Sequence, residues 1–169
     1  MPFTPFHFGP GLLLKAVAPG RFSFTAYAAA QVVIDVESGY YLLTQQAPVH
    51  RSLHTFGLGG LAGTCTGVVL GWVGRRLLPR AARDPRPLVA AELSARGALL
   101  GGLGGGLAHA LLDGMMHFDM HPFAPFTQSN PLLGLLTLQG LHLLCLLSGV
   151  AGLLLLVRPS LWRRPDAPA

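Results

Sequence analysis

Charge is scarce in this chain. Asp, Glu, Lys and Arg make up 11% of its 169 residues while 51% are hydrophobic, whereas an average soluble domain is ~25% charged. That balance argues against an ordinary soluble domain and for a polytopic membrane protein. Cysteine is scarce too. Cys65 and Cys145 both lie inside apolar runs, where they read as buried free thiols behaving as small hydrophobes, not as a disulfide framework. The N-terminus lacks a basic region followed by an apolar core and a small-residue cleavage site, so no cleavable signal peptide is expected. The net charge of +5 is no nucleic-acid footprint. The arginines gather in two segments flanking apolar runs, where positive charge marks the cytoplasmic side of a membrane.

The apolar runs set the fold. Pro10 and Pro19-Gly20 bracket a short helix, whose 8–10 residues rise only ~15 Å and cannot cross a ~30 Å hydrocarbon core. It reads as interfacial or half-inserted. Four longer runs follow, at about 21–41, 52–78, 93–120 and 132–157. The predicted class is all-α: a polytopic membrane helix bundle with four transmembrane helices, one domain over 1–158 and a short basic tail over 159–169. Arg75, Arg76, Arg80, Arg83 and Arg86 surround the loop 79–92, and Arg158, Arg163 and Arg164 follow the last run. Both clusters belong on the cytoplasmic side of a bacterial-type inner membrane. The turns at 42–51 and 120–131 then face the exoplasm. Trp72, Trp162, Tyr40 and Tyr41 fall near span ends, as in interfacial aromatic belts. The run Gly101-Gly102-Leu103-Gly104-Gly105-Gly106 is a poor helix former. It marks either close helix packing or a local irregularity lining a cavity.

This topology gathers ionisable residues at the exoplasmic end. His109, Asp113, His117 and His121 are spaced four apart, one stripe of a helix. Asp35 and Glu37 leave the first span there, His50 and His54 enter the second one helical turn apart, and Asp119 leaves the third. Four of the seven carboxylates thus meet five of the seven histidines. Each group has a plainer reading: Asp35 and Glu37 as an interfacial pair, His50 and His54 as a solvated helix start, the stripe as polar contacts within a bundle. Together they point to function, because ionisable side chains inside a membrane are costly. Nitrogen and oxygen ligands without thiolate suit a divalent ion, Zn first with Mn or Fe as alternatives, and shared carboxylates suit a pair of ions. The donors outnumber the four that one structural zinc takes. Either one or two ions bind, then, with the remaining groups serving as base and outer partners. Asp119 and His121 are candidates for proton transfer. Arg51 is either a lipid-headgroup anchor or a clamp on an anionic substrate. His7 joins the ligands if the short helix runs inward from the exoplasmic face, which leaves Lys15 and Arg21 deep unless they snorkel. His142, alone in the fourth span, reads as a packed core histidine.

The N-terminal Thr4-Pro5-Phe6-His7, Asp35-x-Glu37, His50-Arg51-x-x-His54 and His109-x-x-x-Asp113 occur in this order in the membrane-bound metal-dependent hydrolases, the YdjM-like inner-membrane proteins. The chain resembles that family up to about Pro122. The family segment usually reads His-Arg-x-x-Thr-His, and here the two histidines stand one residue closer. The resemblance implies metal ligation by His7, Asp35, Glu37, His50, His54, His109 and Asp113, and the four-residue stripe adds His117. The resemblance also implies a distant likeness to zinc-dependent phospholipase C and the P1-type nucleases. Three functions compete: a hydrolase acting on a phosphoester or other ester at the membrane surface, a metal or proton transporter, and a structural membrane subunit with a bound metal. The lipid bilayer is the partner common to all three. No polar trail continues toward the cytoplasmic end, which counts against transport.

Overall fold

Serine and threonine start the long helices. The computed structural model describes residues 5–80 and 86–158, which form helices α1 (Phe8–Val17), α2 (Phe24–Leu43), α3 (Phe56–Leu77), α4 (Pro87–Leu93), α5 (Ala95–Met116) and α6 (Leu138–Leu156). Short 3-10 turns at Pro5–His7 and Ser52–His54 precede α1 and α3. Ser23, Thr55, Ser94 and Thr137 each precede a long helix, and each side-chain oxygen accepts a first-turn backbone N–H, the usual remedy for the unpaired amides there. No strand occurs among the described residues, in line with the all-α expectation. The tail 159–169, with Trp162, Arg163 and Arg164, and Arg83 in the loop lie outside them.

Glycine sets how these helices meet. The run 101–106 is unbroken helix within α5. A Cβ at Gly102 or Gly106 would meet the carbonyls of Gly63 and Gly59 on α3, and one at Gly101 or Gly105 would meet those of Ser23, which caps α2, and Tyr27 on α2. Of the two readings of this run, close packing is the right one. Helices α2, α3 and α5 form the central bundle, and α1 packs against α6 and touches α2. Many buried side chains are small or polar, among them Ala26, Ala30, Ala98, Ala110, Gln31, His54 and His109, beside a few large ones such as Tyr27, Ile34 and Met120. Large aliphatics face outward, among them Val36 on α2, Val69 on α3, Leu103 on α5 and Leu154 on α6.

Among the described residues, two helices are long and apolar enough to cross a membrane: α3, with mean hydropathy 1.5, and α6, with 1.9. Helix α2 is of similar length but carries Gln31, Asp35 and Glu37, and α5 carries its glycines with His109 and Asp113.

Several boundaries differ from expectation. The third long helix stops at Met116, where Asn130 Nδ2 donates to the carbonyls of Gly114 and His117 and so takes over part of the helix end. Residues 87–92, expected as loop, belong to α4, which ends at Leu93. The last helix starts at Leu138, because residues 131–136 are turns. Helix α1 starts at Phe8, with Pro10 in its first turn, where a missing N–H costs nothing. Cys65 is exposed, not buried. The buried face of α3 runs through Gly59, Gly60, Gly63, Gly67 and Gly71 and leaves Cys65 on the outside.

Lys15 does not snorkel. Its side chain is 5% exposed and its Nζ lies 2.6 Å from Glu92 Oε1, while donating to the carbonyls of Pro19, Phe22 and Leu88. Glu92 in turn accepts from Ser23 Oγ and the backbone N–H groups of Phe24 and Thr25. The start of α2 is thereby tied to α1 and α4.

Candidate metal centre

The opposite end of the bundle holds the second polar cluster, roughly 24 Å of helix rise along α5 from Gly97 to Asp113. Helix α5 supplies His109 and Asp113, and their i, i+4 spacing brings Nε2 to 3.2 Å from Oδ2. From α2, Asp35 places Oδ1 3.4 Å from His109 Nε2. The Ser52–His54 turn adds His54, whose Nε2 is 3.9 Å from both Asp35 Oδ1 and Asp113 Oδ2. The four donor atoms lie within 4.8 Å of one another. Ligands ~2.0–2.2 Å from a tetrahedral ion stand ~3.3–3.6 Å apart, so this set needs little adjustment to share one. The side chains of His54, His109 and Asp113 are 1%, 0% and 3% exposed.

Outer partners turn the imidazoles inward. Gln31, one turn before Asp35 on α2, donates through Nε2 to the Gly105 carbonyl, so its Oε1 is left to accept from His109 Nδ1 at 2.7 Å. That tautomer leaves the lone pair of His109 on Nε2, facing Asp35 and Asp113. Glu37 Oε2 accepts the Leu53 N–H at 2.8 Å and lies 3.5 Å from His54 Nδ1. Asp119 does the same for His50: Oδ1 is 2.8 Å from Nδ1, and Oδ2 accepts the N–H groups of Val49 and His50. Glu37 and Asp119 thus stand behind histidines, where they fix the rings. Gln31 had no place among the expected site residues. Its signal was an amide one helical turn from Asp35 inside an apolar run.

The inward atoms lack partners. His54 Nε2, His109 Nε2, Asp113 Oδ1, His117 Nε2 and both ring nitrogens of His7 are buried without a hydrogen bond. His109 Nε2 and His7 Nε2 each approach Asp113 to 3.2 Å without hydrogen-bond alignment. Each unsatisfied buried group costs ~1–3 kcal/mol, and these converge on one place. A nitrogen and carboxylate donor set of this kind could hold a divalent metal ion.

His7 reaches the cluster because α1 begins here. The Tyr27 hydroxyl donates to its carbonyl at 2.9 Å, and its ring meets His109 edge-on at 5.2 Å. His117 also arrives, though not as expected. It caps α5 in an extended conformation, and its Nε2 is 3.9 Å from Asp113 Oδ1. The stripe of four therefore ends as a helical feature at Asp113. His121 lies beyond it in an exposed turn, its Nδ1 2.6 Å from the Gln128 carbonyl, and does not join the converging donors. Neither does Arg51, whose guanidinium lies 3.6 Å over the Tyr41 ring while Nε donates to the Pro48 carbonyl. His142 stacks on Phe6 at 4.6 Å. His50 and His54 sit on the turn ahead of α3, not on its first helical turn, with ring centroids 4.9 Å apart.

Electrostatics separates the rim from the interior. Burial pushes the His117 imidazole down to about 4 and holds His50 below its ordinary value despite Asp119. Burial would also lower His54, but the carboxylates of Asp35 and Glu37 raise it to about 9. Burial would raise Asp119, yet its hydrogen bonds with His50 hold it below the usual carboxylate value. No protein-family model, curated protein or solved structure matches this chain.

Proposed function

We propose that this chain is a membrane-embedded, metal-dependent hydrolase acting on a phosphoester or other ester presented at the exoplasmic surface. In this reading it is related to the YdjM-like membrane-bound hydrolases. One observation carries the proposal: buried, unpartnered donor atoms from the N-terminal turn, the 52–54 turn and α5 converge beside Asp35 of α2. Outer partners on three of the imidazoles add to it, as they do around metal ligands generally.

Asp35, His54, His109 and Asp113 would hold the ion, with Zn the first choice for this donor set and Mn or Fe the alternatives. A bound divalent ion supplies an acidified water and stabilises developing negative charge on an ester oxygen. The protein's own contribution is positioning. Gln31 and Glu37 fix the rings of His109 and His54, and Asp119 fixes His50. At the rim, His117 and Asp119 are each 18% exposed and face the route by which water and substrate arrive. Beside the same turns, Ser52, Thr55, Phe56, Pro122, Phe123 and Phe126 border an apolar cavity of about 520 Å³, a suitable place for the apolar part of a lipid-borne ester.

The bundle crosses the bilayer four times in this proposal, through α2, α3, α5 and α6, with α1 half-inserted. Support comes from the outward aliphatics, the inward glycines and polar groups, and the lengths of α2 and α5, about 30 Å each. Arg75, Arg76, Arg80 and Arg86 mark the cytoplasmic end.

A second reading has its own support. Four nearly dry protein donors are the arrangement of a structural metal, as in a subunit stabilised by its ion. A panel of phosphodiester, phosphomonoester and carboxylester substrates, presented on micelles with Zn or Mn, separates the two. An enzyme hydrolyses at least one, and His109→Ala or Asp113→Ala abolishes turnover with helix content kept. Under the structural reading those substitutions lower the melting temperature first. Protein that binds no divalent metal ends both.

A further inference from the structure

Asp113 has two faces. Its Oδ2 lies toward His109 and His54, whereas Oδ1 lies toward a different set: His7 Nε2 at 3.2 Å and His117 Nε2 at 3.9 Å. His50, Asp113 and His117 bring donor atoms within 4.8 Å of one another, and the His50 and His117 rings stack at 4.0 Å. From this division we propose that the chain holds a second divalent ion in an open site formed by His50, Asp113 Oδ1 and His117, bridged to the first ion through Asp113. The proposal rests on the reading that Asp35, His54, His109 and Asp113 form a metal centre.

Three observations support it. Asp113 is 3% exposed, yet its Oδ1 accepts no hydrogen bond, and a buried carboxylate oxygen demands a cation or a donor. The nearest candidate, His7, approaches without alignment and leaves both of its own nitrogens unpartnered. Asp119 anchors His50 through Nδ1, so Nε2 remains as its free donor. Finally, His117 Nε2 is itself unpartnered although its side chain is only 18% exposed.

The two sites are unequal. The first has four protein donors, all nearly dry, and would bind tightly. The second has three, with His117 at the rim, so a coordination position remains for water or a substrate oxygen; three protein ligands and an open position are the pattern of catalytic sites. A carboxylate bridge brings paired ions to ~3.5–4 Å. Proximity to the rim makes the second ion the exchangeable one.

Metal analysis and electron paramagnetic resonance of the full chain in detergent, loaded with Mn and freed of excess, test this. The wild type should carry two Mn ions per chain with a spin-coupled spectrum. His117→Ala should carry one ion with an uncoupled spectrum and unchanged helix content. Because His117 caps α5, His50→Ala serves as a second variant and should show the same loss. Two outcomes overturn the second site and leave the first standing: a wild type with one ion that both variants retain and His54→Ala loses, or two ions that neither variant disturbs. A wild type that binds no ion overturns the first centre as well.

Discussion

Both ends of this bundle bury charge, and they do so in opposite ways. Around Lys15 and Glu92 every polar atom has a partner: three carbonyls and a carboxylate on the ammonium, a hydroxyl and two backbone amides on the carboxylate. Around Asp113, donor after donor points inward and meets nothing. A saturated cluster has finished its work on folding, and it ties α1, α2 and α4 together. An unsaturated one keeps coordinating capacity in reserve at a cost of ~1–3 kcal/mol per group. A fold retains such a cost where a ligand offsets it. Satisfaction, and not charge or burial, distinguishes the structural cluster from the candidate site.

The sharpest way to break this contrast is to disable each cluster and read both outputs. Lys15→Met leaves Glu92 without its cation and should destabilise the protein by about 3 kcal/mol, a fall of roughly 10 °C in melting temperature for a chain of this size, with metal content unchanged. Loss of metal in that variant would mean the ends are coupled and the contrast is false. Next comes the outer partner. Gln31→Leu keeps the volume but frees the His109 ring, and chelator competition should show metal affinity reduced ~10–100-fold, while the metal-free protein loses only the ~1–3 kcal/mol of the His109 Nδ1 left without its acceptor. The smallest effect is on acid stability. Burial would raise the Glu92 pKa, but its hydrogen bonds with Lys15 and Thr25 hold it below 4.5. A carboxyl depressed in the folded state stabilises above its unfolded pKa, so this contribution is complete above about pH 5 and disappears as pH falls through the folded value. Glu92→Gln should flatten that limb of the melting-temperature profile relative to wild type. An identical profile would place the acid-sensitive groups elsewhere.

Much of this was legible in the sequence. His109 and Asp113 are one helical turn apart on the same helix, and spacing alone puts their donors together. The apolar runs gave long helices, and Pro19-Gly20 marks the end of α1. What failed was long-range. Nothing local ends α5 at Met116, since Asn130 reaches back from a later turn to receive it, and so His117 and His121 read as helical. Glu37 looked like a ligand and Asp119 like a proton-transfer group because a carboxylate's type does not reveal whether it faces the ion or the back of an imidazole. Gln31 was passed over for the opposite reason, since an amide in an apolar run has no charge to draw notice. Lys15 looked like a burden in the bilayer because its partner, Glu92, lies in a segment that reads as loop.

X-ray absorption at the Zn edge of the loaded, detergent-solubilised protein tests the central claim most directly. A shell of nitrogen and oxygen only, at ~2.0–2.2 Å with imidazole scattering, is the predicted result, and it should vanish in Asp113→Ala. Sulfur at ~2.3 Å, which would implicate Cys65 or Cys145, would contradict it, as would a shell of water oxygens without imidazole.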